Sequence, residues 1–357
     1  MDGFYLISKS ESPKKNTVLA GFAILGLAAL VGLFMIVNTP NHESTILSQY
    51  KTEEQEFTDY MIKFNKNYNT DEEYLKRFKI FRENSAFIRV HNSLDKDWTL
   101  GINQFVDMTL DEFREIYLSN EITVPEEEET EDFHREHYEN VEAPTSIDWR
   151  SKGAVQGVKY QGQCGGCWSF STVSAVESSW FIAGHGLPDL SEQQLLDCGG
   201  PFGNYGCAGG NIVYGFSYVQ KYGLTSESIY PYQAATKTCN TSKQSQKIAS
   251  IKYVVKVTAN DPNALMAAVA VAPVSIGAQA DQAAWMYYKG GIVTGSCGIV
   301  LNHAVNIVGY NNGNNPPYWI VRNSWGSWWG ENGYIRIAIS GGNGICGVNM
   351  MPMYPVS

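Results

Sequence analysis

The chain has 357 residues, 26 Lys and Arg against 36 Asp and Glu, and a formal charge of −10. With 44% hydrophobic, 13% aromatic and 17% charged residues it is neither disordered nor fibrous, and its length suggests about two or three folded units. An acidic balance without a long basic run excludes nucleic acid as the principal ligand, because neutralising phosphates takes clustered Lys and Arg.

In chain order, the first predicted element is a membrane anchor. Residues 18–37 form a run of 20 residues without a charge, the length needed to cross the hydrocarbon core as a helix. The run is long for a cleaved signal peptide and ends in Asn38-Thr39-Pro40 rather than a small-residue cleavage site, which favours a retained anchor over residues 17–37. Lys9, Lys14 and Lys15 precede it, so the positive-inside rule leaves residues 1–16 in the cytosol and the rest lumenal. In the tail, Asp2-Gly3-Phe4-Tyr5-Leu6-Ile7 resembles an acidic dileucine sorting signal, and an ordinary tail is the alternative. Asn240-Thr241-Ser242 is the one glycosylation sequon.

Residues 38–120 are expected to form a lumenal stem and a helical unit. From 53 to 92 the apolar residues Phe57, Tyr60, Met61, Phe64, Tyr74, Phe78, Phe81 and Ile88 recur mostly at helical spacings between charges. Residues 121–142 hold ten acidic residues and one Arg, the composition of an extended, solvated linker. From Ala143 to Ser357 the chain turns Gly-, Tyr- and Trp-rich and carries all seven cysteines, enough for three disulfides and one thiol left over. A helix is predicted over 168–183, and strands over 251–257, 274–278, 304–310, 319–322 and 333–339. Helices first and strands later give an α+β domain in two lobes.

The chemistry gathers in a few boxes. Gln161-Gly162-Gln163-Cys164-Gly165-Gly166-Cys167-Trp168 runs into the predicted helix, so Cys167 sits where free backbone N–H groups and the helix dipole favour a thiolate. His303 supplies an imidazole to pair with it and to protonate a leaving amine. Asn323 orients that imidazole, Trp325 shields their bond from water, and Gln161 offers an amide to an oxyanion. Two alternatives stand at this point: a thioredoxin-like pair or half a zinc site made of Cys164 and Cys167.

These residues resemble the papain family of cysteine peptidases, as do Pro144-Thr145-Ser146-Ile147-Asp148-Trp149-Arg150 and Asn323-Ser324-Trp325-Gly326-Ser327-Trp328-Trp329-Gly330. Upstream, Glu73, Arg77, Phe81, Asn84, Ile88 and Asn92 reproduce the ERFNIN spacing of the cathepsin L-like propeptide, and Gly101, Asn103, Phe105 and Asp107 its GNFD motif. The resemblance implies a two-lobed fold with a helical lobe and a β-barrel-like lobe, preceded by a helical propeptide that blocks the cleft until acid and proteolysis remove it. It implies Cys167 as nucleophile, His303 as acid/base, Asn323 as orienter and Gln161 as oxyanion donor. It also implies disulfides Cys164–Cys207, Cys198–Cys239 and Cys297–Cys346, and neither metal nor organic cofactor.

Gly209 and Gly210 resemble the family's glycine wall, where the substrate backbone approaches. Ile212, Gly277, Ala304 and, at the floor, Met351 match the pocket for the second residue before the scissile bond, with Asn211 and Asn302 nearby. That lining predicts Leu, Phe or Val there. The short 199–205 loop leaves no room for an occluding insertion and points to an endopeptidase. The expected partners are protein and peptide substrates, the chain's own propeptide and, through the anchor, a membrane. The mature form is expected to be a soluble monomer in an endosome, lysosome or digestive vacuole. A peptidase-like module that binds peptides without cutting them is the rival from another class. Residues 143–357 carry a net +3 and residues 1–142 a net −13, of which −9 lies in 121–142. That tract is expected to add attraction between propeptide and enzyme that weakens in acid.

Overall fold

The computed structural model describes residues 40–94, 96–119, 121–123, 136–295 and 297–357. The tail with its sorting motif, the 17–37 anchor and most of the acidic tract lie outside them. Among the described residues no helix is long and apolar enough to cross a membrane.

Helix α1 (Pro40–Phe64) belongs to a compact unit that ends at Tyr68. Within it Phe57 stacks on Tyr60 and on Tyr68, with ring centroids 6.0 and 5.9 Å apart.

The second unit begins at Asn69 with the propeptide motifs. Helix α2 (Asp71–Ser93) starts where Thr70 accepts the Glu73 N–H, with Asp71, Glu72 and Glu73 in its first turn facing the positive end of the dipole. Its motif residues then hold the chain that follows. The Asn84 amide donates to the carbonyls of Val106 and Met108, and Asn92 exchanges hydrogen bonds with the Leu100 backbone in both directions. Arg77 joins Glu73 (2.6 Å), Glu112 (2.7 Å) and the Asp107 carbonyl (2.9 Å), while Phe81 and Ile88 are buried. Strand β1 (Trp98–Leu100) follows, then helix α3 (Leu110–Tyr117), whose capping box closes between Thr109 and Glu112.

Strand β2 (Ser146–Asp148) opens the next stretch. Helices α4 (Cys167–Trp180), α5 (Glu192–Cys198) and α6 (Ile212–Tyr222) build the helical lobe. Helix α4 ends three residues before the predicted limit. The chain there widens into a π turn over Phe181–His185, because Gly184 takes φ 90° and breaks the α geometry.

The strand lobe holds β3 (Tyr253–Lys256), helix α7 (Pro262–Val271), β4 (Val274–Ala278), β5 (Tyr288–Val293), β6 (His303–Asn311), β7 (Tyr318–Arg322), β8 (Tyr334–Ala338) and β9 (Met353–Val356). The strand order is β1-β5-β8-β7-β6-β4-β9-β3, with β2 on β6. Each of the five predicted strands is found within a residue or two of its expected ends. Strands β1, β2, β5 and β9 were not expected. They are short or Gly-rich, and neighbours rather than their own periodicity hold them.

The helical lobe buries charge. Lys159 lies 2.9 Å from Glu192, 3.6 Å from Glu177 and 2.8 Å from Asp189. Burial and the adjacent Glu192 push the Glu177 carboxyl up to about 7 against the pull of Lys159 and Arg322. Nearby Glu227 is also pushed up to about 7, by burial and by Glu192 and Asp189, against the Tyr232 N–H and Lys159. A raised carboxyl binds more protons folded than unfolded, so its stabilising contribution is complete below about pH 4.5 and lost as pH rises through about 7. Comparing thermal midpoints of Glu227→Gln and wild type isolates this group from histidines that titrate the other way. We expect little difference near pH 4.5 and a midpoint a few degrees higher for the variant at pH 8. A variant equally or less stable at pH 8 would contradict the assignment.

Candidate active site

Cys167 is the first residue of α4, with Gly166 as N-cap, and is fully buried. It is the free cysteine; the other six pair as Cys164–Cys207, Cys198–Cys239 and Cys297–Cys346. Cys164 and Cys167 therefore make neither a redox pair nor a shared metal site here. The first peptide of β6 brings the histidine to the thiol, since the Ala304 N–H points at Cys167 Sγ over 3.4 Å.

The hydrogen bonds fix the tautomer of His303. Asn323 Oδ1 accepts the Ser324 N–H at 2.7 Å, so this atom is the amide oxygen. His303 Nε2 lies 2.8 Å from the same oxygen and must donate to it. In the neutral ring Nδ1 then carries the lone pair. It is buried with no hydrogen-bond partner among the described residues, ready to take a proton.

Trp325 stacks on His303 with centroids 4.7 Å apart and planes 27° apart. Trp285 adds an edge-on contact at 5.9 Å that the sequence reading did not anticipate. Gln161 is held on both sides: its Oε1 accepts from Ser324 Oγ at 2.6 Å, and Tyr232 donates to its backbone carbonyl at 2.6 Å. Ser324 was not singled out for this. Its place beside Asn323 in an Asn-Ser-Trp run was the available signal.

The propeptide occupies this site in chain order. The Gln161 amide donates to the Tyr117 carbonyl at 2.9 Å. Ser119 Oγ lies 3.3 Å from Cys167 Sγ, and its N–H donates to the Asn302 carbonyl at 2.9 Å. The Ile122 N–H reaches the Leu301 carbonyl, and Asn211 Nδ2 donates to the Thr123 carbonyl. Ile122 is buried in the same apolar cluster as Ile212, Leu301, Ala304 and Met351.

Electrostatics match a silent site. Burial pushes the Cys167 thiol above its ordinary value, against the hydrogen bonds from Ser119 and Ala304. Burial pulls His303 down to about 4, against the bond to Asn323. With the propeptide seated, both groups are neutral at pH 7.

Two expected lining residues have a different physical basis. A side chain at Gly210 would run into the Trp168 indole at 2.8 Å and into Asn204, so the requirement for glycine comes from packing behind the wall. At Gly277 the space for a side chain is filled by Leu301, which lines this region in its place. Gly209 takes φ 114°, a backbone open to glycine.

The remaining propeptide motif residues reach the strand lobe. Gly101 N–H and Asn103 Nδ2 donate to the carbonyls of Tyr287 and Met286, both at 2.8 Å. Phe105 meets Trp325 edge-on at 5.6 Å, and Asp107 is buried. Asn240 caps a short helical turn at Thr241–Gln244.

The comparisons agree with this geometry over the length of the chain. The model of the papain family cysteine proteases matches residues 143–356, and that of the cathepsin propeptide inhibitor domain matches 57–113. The chain is 38% identical over 341 residues to the senescence-specific cysteine protease SAG39 of Oryza sativa subsp. japonica, covering 94% of this chain and 98% of that protein. It is 45% identical over 295 residues to vignain of Phaseolus vulgaris, covering 79% of each. Among solved structures, a recombinant stem bromelain precursor superposes with a TM-score of 0.76 at 38% identity, covering 85% of this chain and 99% of that one. With a free thiol at a helix start, an imidazole at a strand start and a propeptide seated against the thiol, the chain belongs to the papain family of cysteine proteases and is a zymogen inhibited by its own propeptide.

Proposed function

We propose that the chain is a cathepsin L-like endopeptidase, made as a type II membrane-anchored zymogen and released as a soluble monomer in an acidic endolysosomal or vacuolar compartment. The observation that carries the catalytic part is the chain of contacts from the Ala304 N–H on Cys167 Sγ to the His303–Asn323 bond at 2.8 Å. Once the propeptide leaves, water reaches both groups, and the proton passes from Cys167 to His303 Nδ1 to give the ion pair. The thiolate attacks the peptide carbonyl, and its oxygen becomes an oxyanion met by the Gln161 amide, where the Tyr117 carbonyl now sits. The imidazolium protonates the departing amine as the C–N bond breaks. Water, deprotonated by His303, then hydrolyses the thioester and restores the thiol.

The anchor rests on the run at 18–37 and the compartment on the tail motif. The apolar pocket of Ile212, Ala304, Leu301 and Met351 supports a preference for Leu, Phe or Val two residues before the cut. The short loop after Gly199 supports endopeptidase action. Cleavage of a randomised peptide library at acidic pH tests this reading. Internal cuts following an apolar residue by one position are expected. Release of dipeptides from chain ends, or Arg dominating that position, would overturn it.

A further inference from the structure

Asp281 follows β4 at the mouth of the cleft, one hydrogen bond from the catalytic strand: the Ala280 N–H donates to Asn302 Oδ1 at 2.8 Å, and His303 is next in the chain. Its two carboxylate oxygens have different surroundings. Oδ1 is held from within the enzyme by the amides of Gln279 at 2.9 Å and Gln282 at 3.3 Å. Gln279 is itself fixed, because its Oε1 accepts the Val300 N–H at 2.8 Å. Oδ2 points to the propeptide, where Arg114 meets it through Nε and a terminal nitrogen, both at 3.0 Å. Side-chain exposure is 10% for Asp281 and 47% for Arg114, so the carboxylate is built in and the guanidinium is the visitor. When the propeptide departs, Gln279 and Gln282 stay on Oδ1 while Oδ2 loses both Arg114 contacts, leaving an oriented acceptor.

Arg114 lies before Tyr117 and Ser119, and Ile122 lies after them, so Asp281 and the Ile122 cluster are on opposite sides of Cys167. We propose that Asp281 is a specificity-determining residue that selects a basic side chain in the part of the substrate that leaves as the amine. The side rests on the reading of the Ile212, Ala304 and Met351 pocket given above. Burial works against the charge on Asp281, but hydrogen bonds from Gln279, Asn302, Gln282 and Arg114 outweigh it and hold the carboxyl below its ordinary range. Three of these four donors, Gln279, Asn302 and Gln282, belong to the enzyme and stay when Arg114 leaves.

The test uses mature wild-type enzyme and internally quenched peptides with Leu two residues before the cut, carrying Arg, Lys, Ala or Glu at each of the three positions after it. The cut site is mapped by mass spectrometry. We expect kcat/KM for Arg or Lys to exceed that for Glu by about tenfold at one of these positions. The ratio should fall towards one in Asp281→Asn, invert in Asp281→Lys and shrink in the wild-type enzyme as ionic strength rises from about 0.05 to about 1 M. The salt arm stands even where a variant does not fold. No basic preference after the cut, a preference that survives in Asp281→Asn, or one found only before the cut overturns the proposal. Loss of the Leu requirement with the basic preference intact would instead count against the pocket reading alone.

Discussion

Replacing Cys167 with Ala is expected to lower peptidase turnover by about 10⁴-fold or more and to abolish labelling by thiol-directed inhibitors. The expectation is this large because one atom holds every covalent step. The six other cysteines are paired, so no second thiol among them can substitute. The Gln161 amide and the cleft are untouched by the change, but without a nucleophile they have nothing to act on. The small side chain fits where the buried thiol was, and the fold is retained, as the same thermal midpoint would show. The rival reading, a module that binds peptides without cutting them, predicts no turnover in the wild type. Residual turnover in the variant would sink the assignment to Cys167.

Phe105→Ala in the intact zymogen carries the second large effect. Phe105 is fully buried, and it meets Phe113 at 5.0 Å, Tyr117 at 4.8 Å and Trp325 at 5.6 Å, all edge-on. Phe113 is edge-on to Trp325 as well, at 5.2 Å. Trp325 is also the ring stacked on His303, so the propeptide is anchored on the cover of that imidazole. Removing a buried Phe from such a site costs about 3–5 kcal/mol. The Glu73–Arg77–Glu112 clamp and the asparagine bonds of α2 are untouched, so the loss falls on docking. Alkylation of Cys167 reads the result directly. In the wild-type zymogen at pH 7 the thiol is protonated, buried and covered by Ser119, and it should react slowly. In the variant the rate should rise by at least about 100-fold. An unchanged rate would mean that Phe105 does not hold the propeptide on the site.

Much of this site was legible because its chemistry is written in local boxes. Cys167 at a helix start, His303 at a strand start and Asn323 just after a strand were each visible from neighbouring residues, and the resemblance tied them together. The propeptide motif was legible for the same reason, since six residues at fixed helical spacing project from one helix. What escaped notice depends on distance along the chain. Ser324 reaches Gln161 across 163 positions, and Arg114 reaches Asp281 across 167. Nothing local distinguishes Arg114 and Asp281 from ordinary surface residues, and only its place beside Asn323 marks Ser324. Strand β1 has three residues and no periodicity of its own; only β5 makes it a strand. The glycine wall shows a subtler gap, because Gly210 was recognised while its cause, the indole of Trp168 behind it, needed the packed structure.

The pairing of β1 with β5 makes the propeptide the outermost strand of the sheet, through Trp98 opposite Gly291 and Leu100 opposite Tyr288. Maturation therefore does more than empty a cleft: it strips a strand from a continuous sheet and leaves a raw border of unpaired amides and carbonyls along β5. That border is short. It carries Lys289 and two glycines, residues that discourage another chain from adding itself there. The sequence Lys289-Gly290-Gly291 thus accommodates the propeptide strand with residues that disfavour pairing by any other chain.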